Sequence, residues 1–385
     1  MKEADSKKLN IVMLGHKSIP SREGGIEVVV EELSTRLVSA GHEVTCMNRA
    51  GRRVSGIEEY NSGMKEYKGV RIRRAATLDK KGLAAMTASV TGAIAVAFGK
   101  YDVVHFHAEA PCAMLWLPKL FGKRCIATVH GLDHQRAKWG FLARNYIMLG
   151  EKCAVKWADE IIVLSRGVQQ YFKDIYGRET VWIPNGVNRP EIRGARQITE
   201  KFGLKKDEYI LFLGRLVPEK GISYLIDAFK KVHTDKKLVI AGGSSDSNAF
   251  AAALKERAQL EDERILFTGF VQGELLDELY SNAYVYVLPS DLEGMPLSLL
   301  EAMSYGNCCV TSDIEECAAV TEDYGLTFPK GNVEALQQLL QQLCDDAETV
   351  SRYKANAAEY ITGKYNWEDV TEQTLALYDK QRASV

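Results

Sequence analysis

Short apolar runs alternate with amphipathic stretches along the whole chain, and this rhythm restricts the fold more than any other feature. In the first half strands are expected near 10–14, 43–47, 102–106, 124–129, 160–164 and 180–183. Helices are expected there near 25–40, 83–98, 111–120, 138–157 and 166–175. The alternation then starts again, with strands near 209–213, 237–241, 264–268, 284–288, 308–311 and 325–328. The helices between and after them fall near 220–233, 249–260, 273–282, 297–305, 332–344 and 347–362. Strand and helix in turn, with apolar strands, describe an α/β protein with mainly parallel sheets. A chain of 385 residues is too long for one ordinary core. Two Rossmann-like domains are therefore expected, facing across a cleft at the carboxyl ends of their strands.

The turn-rich segment Ile183-Pro-Asn-Gly-Val-Asn-Arg-Pro190 is the natural boundary. It gives domains over 1–187 and 188–365, followed by a final helix in 366–385 with an apolar face through Trp367, Val370, Leu375, Leu377 and Tyr378. Charge divides along the same line. Residues 1–190 carry 29 Lys+Arg against 19 Asp+Glu, and the remainder 20 against 32, so the two domains are expected to meet different partners. The eight cysteines form no Cys-x-x-Cys pair and no metal-ligand spacing, which points to reduced core residues in a cytoplasmic protein. The first residues lack the apolar segment of a signal peptide, and no apolar run reaches membrane-spanning length.

Chemistry concentrates where strands end. Glu293 and Glu301 bracket Gly-Met-Pro-Leu-Ser-Leu-Leu after the strand-like Tyr-Val-Tyr-Val-Leu. One carboxylate lies on a loop and one on a helix, with the start of that helix between them. Unpaired amides and the positive dipole end there favour a phosphate, while the carboxylates suit hydroxyls such as those of a sugar and a ribose. Gly214-Arg215 and Lys220-Gly221 place two cations after the first strand of the second domain, where Arg grips phosphate oxygens bidentately and Lys adds a compact charge. A lysine in the first turn of a helix is unfavourable without a nearby anion.

Gly24-Gly25 opens the first helix of the chain, either as a tight turn or as a backbone approach to an anion. It is not a Gly-x-Gly-x-x-Gly fingerprint, which counts against a dinucleotide cofactor. His130 leaves an apolar strand in Thr128-Val-His-Gly, either satisfied within its loop or turned to the cleft, and His105 and His107 are read as structural. Gly243 and Val271 follow two further strands, in positions suited to cover a nucleotide.

In order and spacing these motifs resemble those of the retaining GT-B glycosyltransferases of the large family 4. The match runs through Gly24-Gly25-Ile-Glu, Thr128-Val-His130-Gly, Pro184-Asn185-Gly186, Gly214-Arg215, Lys220-Gly221, Glu293 to Glu301, Gly269-Phe-Val271 and Tyr365-Asn-Trp367-Glu368. The resemblance implies that Arg215 and Lys220 hold the diphosphate of a nucleotide-sugar, assisted by backbone near Gly24, Gly25, Met295, Leu297 and Ser298. It implies Glu301 for the ribose, Glu293 and His130 for the transferred sugar, Val271 and Gly243 beside the nucleotide, and a last helix that returns to the first domain. Catalytic weight then falls on His130, Arg215, Lys220 and Glu293. Fixed cations stabilise charge on the leaving diphosphate, and the anomeric configuration is retained.

No Asp-x-Asp motif occurs, so neither a metal nor another cofactor is expected. Asp313-Ile-Glu315-Glu316 stands where many relatives carry paired glycines, which leaves the surroundings of the donor sugar open. The resemblance makes a UDP-sugar the favoured donor and a saccharide or lipid-linked saccharide the acceptor, in polysaccharide or similar glycan biosynthesis. Asp133, Arg136 and Lys138 follow His130 on the acceptor side. The basic stretch Val70-Arg-Ile-Arg-Arg74, Lys80-Lys81 and the apolar Leu83 to Phe98 suit peripheral contact with an anionic membrane face. Nucleic acid is not an expected partner. The competing readings are a sugar-nucleotide epimerase of the same architecture and a non-catalytic sugar-nucleotide-binding subunit.

Overall fold

A computed structural model describes residues 8–51, 63–78, 80, 83–136, 139–243 and 248–379. The chain divides into two compact units, one of residues 1–185 with 367–385, the other of 186–366.

The first unit is built on an eight-stranded sheet in the order β3-β4-β2-β1-β5-β6-β7-β8. Its strands are β1 (Asn10–Leu14), β2 (Glu43–Arg49), β3 (Glu66–Tyr67), β4 (Val70–Ala75), β5 (Val103–His107), β6 (Arg124–Val129), β7 (Glu160–Val163) and β8 (Val181–Trp182). All pairings are parallel except β3 with β4. The order reverses between β1 and β5, so side chains beyond the ends of these neighbours converge there. Every residue of β5 is buried, two histidines among them. His105 and His107 are two apart in a strand, hence on one face, and their rings stack 4.2 Å apart. The helix Trp367–Asp379 completes this unit. Tyr378 reaches His105 Nδ1 at 2.6 Å, and Arg124 Nε donates to the carbonyl of Leu377 at 2.8 Å.

The second unit holds a six-stranded parallel sheet in the order β11-β10-β9-β12-β13-β14. These strands are β9 (Tyr209–Leu213), β10 (Lys237–Ala241), β11 (Ile265–Gly269), β12 (Val285–Leu288), β13 (Cys308–Ser312) and β14 (Leu326–Phe328). Val285, Tyr286, Val287 and Leu288 are all fully buried, as a parallel strand covered on both faces requires. The reversal of order here lies between β9 and β12.

Two expectations about local structure change. Val70–Arg74, read only as a basic stretch and given no strand, lies in the outer strand β4: Val70 and Ile72 are buried on one face, and Arg71 pairs with Glu43 at 2.9 Å. Charged alternate residues hid its period. The helix expected over 220–233 is shorter, Ile222–Phe229, and Lys220 closes a preceding 3-10 turn, Pro218–Lys220. Lys81 lies outside the described residues.

Candidate active site

In the second unit, Gly214-Arg215 leaves β9 and Pro289 to Glu293 leave the adjacent β12. Arg215 is half-buried, and its guanidinium has no acidic partner among the described residues. The helix Leu297–Ser304 begins at Pro296 with no side-chain cap. Its first turn is held close to the end of β9, because the Tyr286 hydroxyl lies 2.9 Å from Ser298 Oγ and 3.3 Å from the carbonyl of Leu213. Free amides at a helix start, a cation on the neighbouring loop and a sheet switch point are together suited to a phosphate.

Lys220 Nζ lies 2.5 Å from Glu293 Oε1, to which Ser290 also donates at 2.6 Å. The two side chains are only 11% and 9% exposed, so the charges face each other largely out of water. The lysine's positive charge is thus answered within the protein. This corrects the inference that its place in a helix's first turn calls for an external anion. Glu301 stands one helical turn further on, with Tyr280 Oη 3.2 Å from its Oε2.

Glu316 was not singled out from the sequence as a site residue. It is half-buried, and burial raises its carboxyl pKa, with Glu293 among the charges acting on it. Gly243 is tied into the same end of the sheet by its carbonyl, which accepts from the amide of Leu216 at 2.9 Å. Val271 is buried, and the neighbouring Phe270 is 45% exposed, an aromatic face that apolarity alone did not distinguish from core.

The first unit carries a bank of histidines at its own switch point. His16 Nε2 lies 3.0 Å from Asn48 Oδ1, which also accepts from the amide of Ile19. His105 spans Tyr378 and Thr128, the latter at 2.7 Å from Nε2. His107, read from the sequence as structural, has its Nδ1 3.1 Å from Nε2 of His130. Burial lowers the pKa of His130 and of His105 to about 3 and of His16 to about 4, and holds His107 well below the ordinary value. All four are neutral at physiological pH. Gly24 and Gly25 sit where the helix Gly25–Ser39 begins, and Glu27 fastens this loop by accepting from the amide of Lys17 at 2.8 Å.

Beyond His130 the 3-10 turn Asp133–Gln135 brings Arg136 Nε to 2.8 Å from Asp133 Oδ1, so these two acceptor-side candidates bind each other. Lys138 lies outside the described residues. His134 of the same turn meets two fully buried acids, with its Nδ1 3.3 Å from Glu151 Oε2 and 3.8 Å from Glu109 Oε1. Glycine makes this meeting possible, since a Cβ on Gly150 would stand 2.0 Å from the carbonyl oxygen of Glu109. Glu109 Oε2 accepts from the amide of Asp133 at 2.7 Å, and Glu151 Oε1 from Tyr171 at 2.9 Å and Tyr176 at 2.5 Å.

Among the described residues this is the one set of three whose ligand atoms all lie within 4.8 Å and could hold a cation. Burial, then the neighbouring Glu151, raises the Glu109 carboxyl far above its ordinary range, which favours a proton there. A raised acid pKa favours folding below the ordinary carboxylate pKa, and that contribution is lost as pH climbs towards the folded value. Glu109→Gln, which keeps the shape and supplies a permanent donor, is accordingly expected to raise Tm over the wild type at pH 8. The gain should shrink or reverse near pH 4.5. Melting curves at the two pH values check this; an equal shift at both would place the effect in packing.

With this geometry in place, the likeness to known proteins is informative. Residues 195–360 match the family model of glycosyl transferases group 1, and residues 23–189 that of glycosyltransferase family 4. An uncharacterised glycosyltransferase of Methanocaldococcus jannaschii is 26% identical over 96% of this chain and 98% of its own length. Phosphatidyl-myo-inositol mannosyltransferase of Mycobacterium leprae is 28% identical over 73% of this chain and 74% of its own. Among solved structures, sucrose-phosphate synthase from Thermosynechococcus elongatus superposes with a TM-score of 0.78 at 23% identity, covering 96% of this chain and 98% of that one. Anabaena HepE in complex with UDP-glucose gives 0.79 at 16% identity, covering 96% and 99%. The chain belongs to the group 1 glycosyltransferases of the GT-B fold, and it is a glycosyltransferase.

Proposed function

We propose that the protein transfers a sugar from a nucleotide-sugar, a UDP-sugar in the first instance, to a saccharide or lipid-linked saccharide, with retention of configuration and without a metal. The observation that carries this is Arg215, a half-buried guanidinium with no acidic partner among the described residues, at the switch point beside an uncapped helix start. Arg215 and the amides of Leu297 and Ser298 would take the diphosphate, with Lys220 held in place by Glu293. Glu301 would take the ribose, and Glu293 and His130 the transferred sugar. Developing negative charge on the leaving diphosphate is then met by groups already oriented, and its oxygen can receive the acceptor's proton.

The UDP preference is supported by the relative HepE, solved with UDP-glucose. A lipid-linked acceptor is supported by Phe98, Phe121, Phe141 and Leu142, which are 48% to 83% exposed on the first unit. No helix among the described residues is long and apolar enough to cross a membrane.

A thermal-shift screen of UDP-, GDP-, ADP- and dTDP-sugars tests the donor. A ligand at a hundred times its Kd stabilises by about 2.7 kcal/mol, so the correct base should stand out. Transfer from the selected donor in excess chelator, with acceptor free or presented in anionic vesicles, tests the rest. Turnover in chelator with the donor's anomeric configuration preserved is expected. Strict dependence on added Mg²⁺ or Mn²⁺, or an inverted product, would overturn the corresponding part.

A further inference from the structure

We propose that His107 is a positioning residue that fixes His130 in the tautomer protonated at Nδ1, so that His130 offers an N–H to an oxygen of the transferred sugar. The role in sugar binding rests on the function proposed above; the tautomer does not.

Two neutral imidazoles share one hydrogen bond, 3.1 Å between His107 Nδ1 and His130 Nε2. One of these nitrogens must carry the proton and the other must accept it. If His130 donated from Nε2, the proton of His107 would sit on its own Nε2. That atom is buried and has no hydrogen-bond partner in the protein. His107 borders a cavity of about 20 Å³ lined by apolar side chains such as Val29, Leu33, Ile162 and Val370 and by the polar Thr128, Asn185 and Thr374, none of which bonds to its Nε2.

An orphaned buried N–H is rarer and costlier than a bare lone pair, so the proton belongs on Nδ1 of His107. His107 therefore donates, His130 Nε2 accepts, and the proton of His130 lies on Nδ1. His16 of the same bank is arranged likewise. Its Nε2 faces the acceptor Oδ1 of Asn48, and its buried Nδ1 is left as the bare lone pair.

The surroundings hold His107 in this state. Its ring stacks on His105, which is clamped by Tyr378 and Thr128 on its two nitrogens. His130 is half-buried, and its Nδ1 bonds to nothing among the described residues, which leaves it for a ligand. Free imidazole in water favours the other tautomer, and the chain reverses that preference by one hydrogen bond from a strand residue 23 positions earlier.

The test is a two-bond ¹H–¹⁵N spectrum of the full chain labelled with ¹⁵N-histidine, assigned by single substitutions. His130 is expected to show a protonated Nδ1 and a bare Nε2 at pH 7. His107→Asn retains a donor near the position of Nδ1 and should preserve both that signature and turnover. His107→Phe keeps an aromatic ring without the donor. It should leave His130 without a fixed tautomer, so that both N–H forms appear, and lower kcat by about 3- to 10-fold, the worth of one neutral hydrogen bond, with the donor's KM changed far less.

Protonation of His130 on Nε2 in the unsubstituted protein overturns the proposal. So does a His107→Phe variant that keeps both tautomer and rate. Should that variant not fold, the unsubstituted spectrum still decides. If His130→Ala keeps full turnover while the spectrum shows Nδ1–H, the sugar-contact reading fails and the tautomer assignment stands.

Discussion

Lys220→Ala is expected to lower the rate of glycosyl transfer by about 10²- to 10³-fold, the usual loss when a fixed group that meets transition-state charge is removed. The ion pair makes the result informative. Breaking one side of a nearly buried pair strands the other charge, at a cost of about 3 kcal/mol or more. Lys220→Ala should therefore lose stability as well as activity, since Ser290 alone would remain bonded to Glu293 Oε1. The double variant Lys220→Met with Glu293→Gln removes both charges and should recover most of the stability. It should not recover turnover. Denaturation and initial-rate measurements on the single and double variants separate the two effects. Restored turnover in the double variant, or full activity in a folded Lys220→Ala, would reduce the pair to a structural brace.

Gly221→Ala should cost about 2–5 kcal/mol of stability, combining left-handed backbone strain with overpacking against fixed main chain. Gly221 has φ of +65°, and a Cβ there would stand 1.9 Å from the carbonyl oxygen of Pro289. Neither side of that contact can yield by rotating a side chain. The same contact joins the turn carrying Lys220 to the segment carrying Ser290 and Glu293, so the substitution should also disturb the ion pair. Gly203 is the control: its φ is +63°, and nothing lies within 4 Å of its Cβ position. Gly203→Ala should cost about 1 kcal/mol. Equal losses in urea denaturation would show that conformational strain, not the approach of Pro289, governs both sites.

The architecture could be read from the chain because doubly covered parallel strands are apolar throughout. Tyr-Val-Tyr-Val-Leu of β12 carries that signature openly, whereas Val-Arg-Ile-Arg-Arg of β4 does not. An outer strand can send arginines outward while burying only Val70 and Ile72. Within the candidate site, residue identity was readable and partnership was not. Lys220 and Glu293 are 73 positions apart, and only the adjacency of β9 and β12 brings their loops together. His107 was set aside because a histidine within a buried strand resembles ordinary core. Its bond to His130 arises from the parallel register of β5 with β6, which pairs His107 with Thr128 and leaves His130 just beyond. Glu109, Glu151 and His134 gave no motif, since they meet through a helix approach that Gly150 permits.

The first unit is discontinuous, with residues 186–366 inserted between its sheet and its last helix. On the ribosome, the eight strands made first must therefore wait for Trp367–Asp379, while the inserted unit has all its residues earlier and can fold as a whole. His105 meets its Tyr378 hydrogen bond only when that helix emerges. The last clamp on the histidine bank is thus set at the end of synthesis, although most of the bank is synthesised in the first third of the chain.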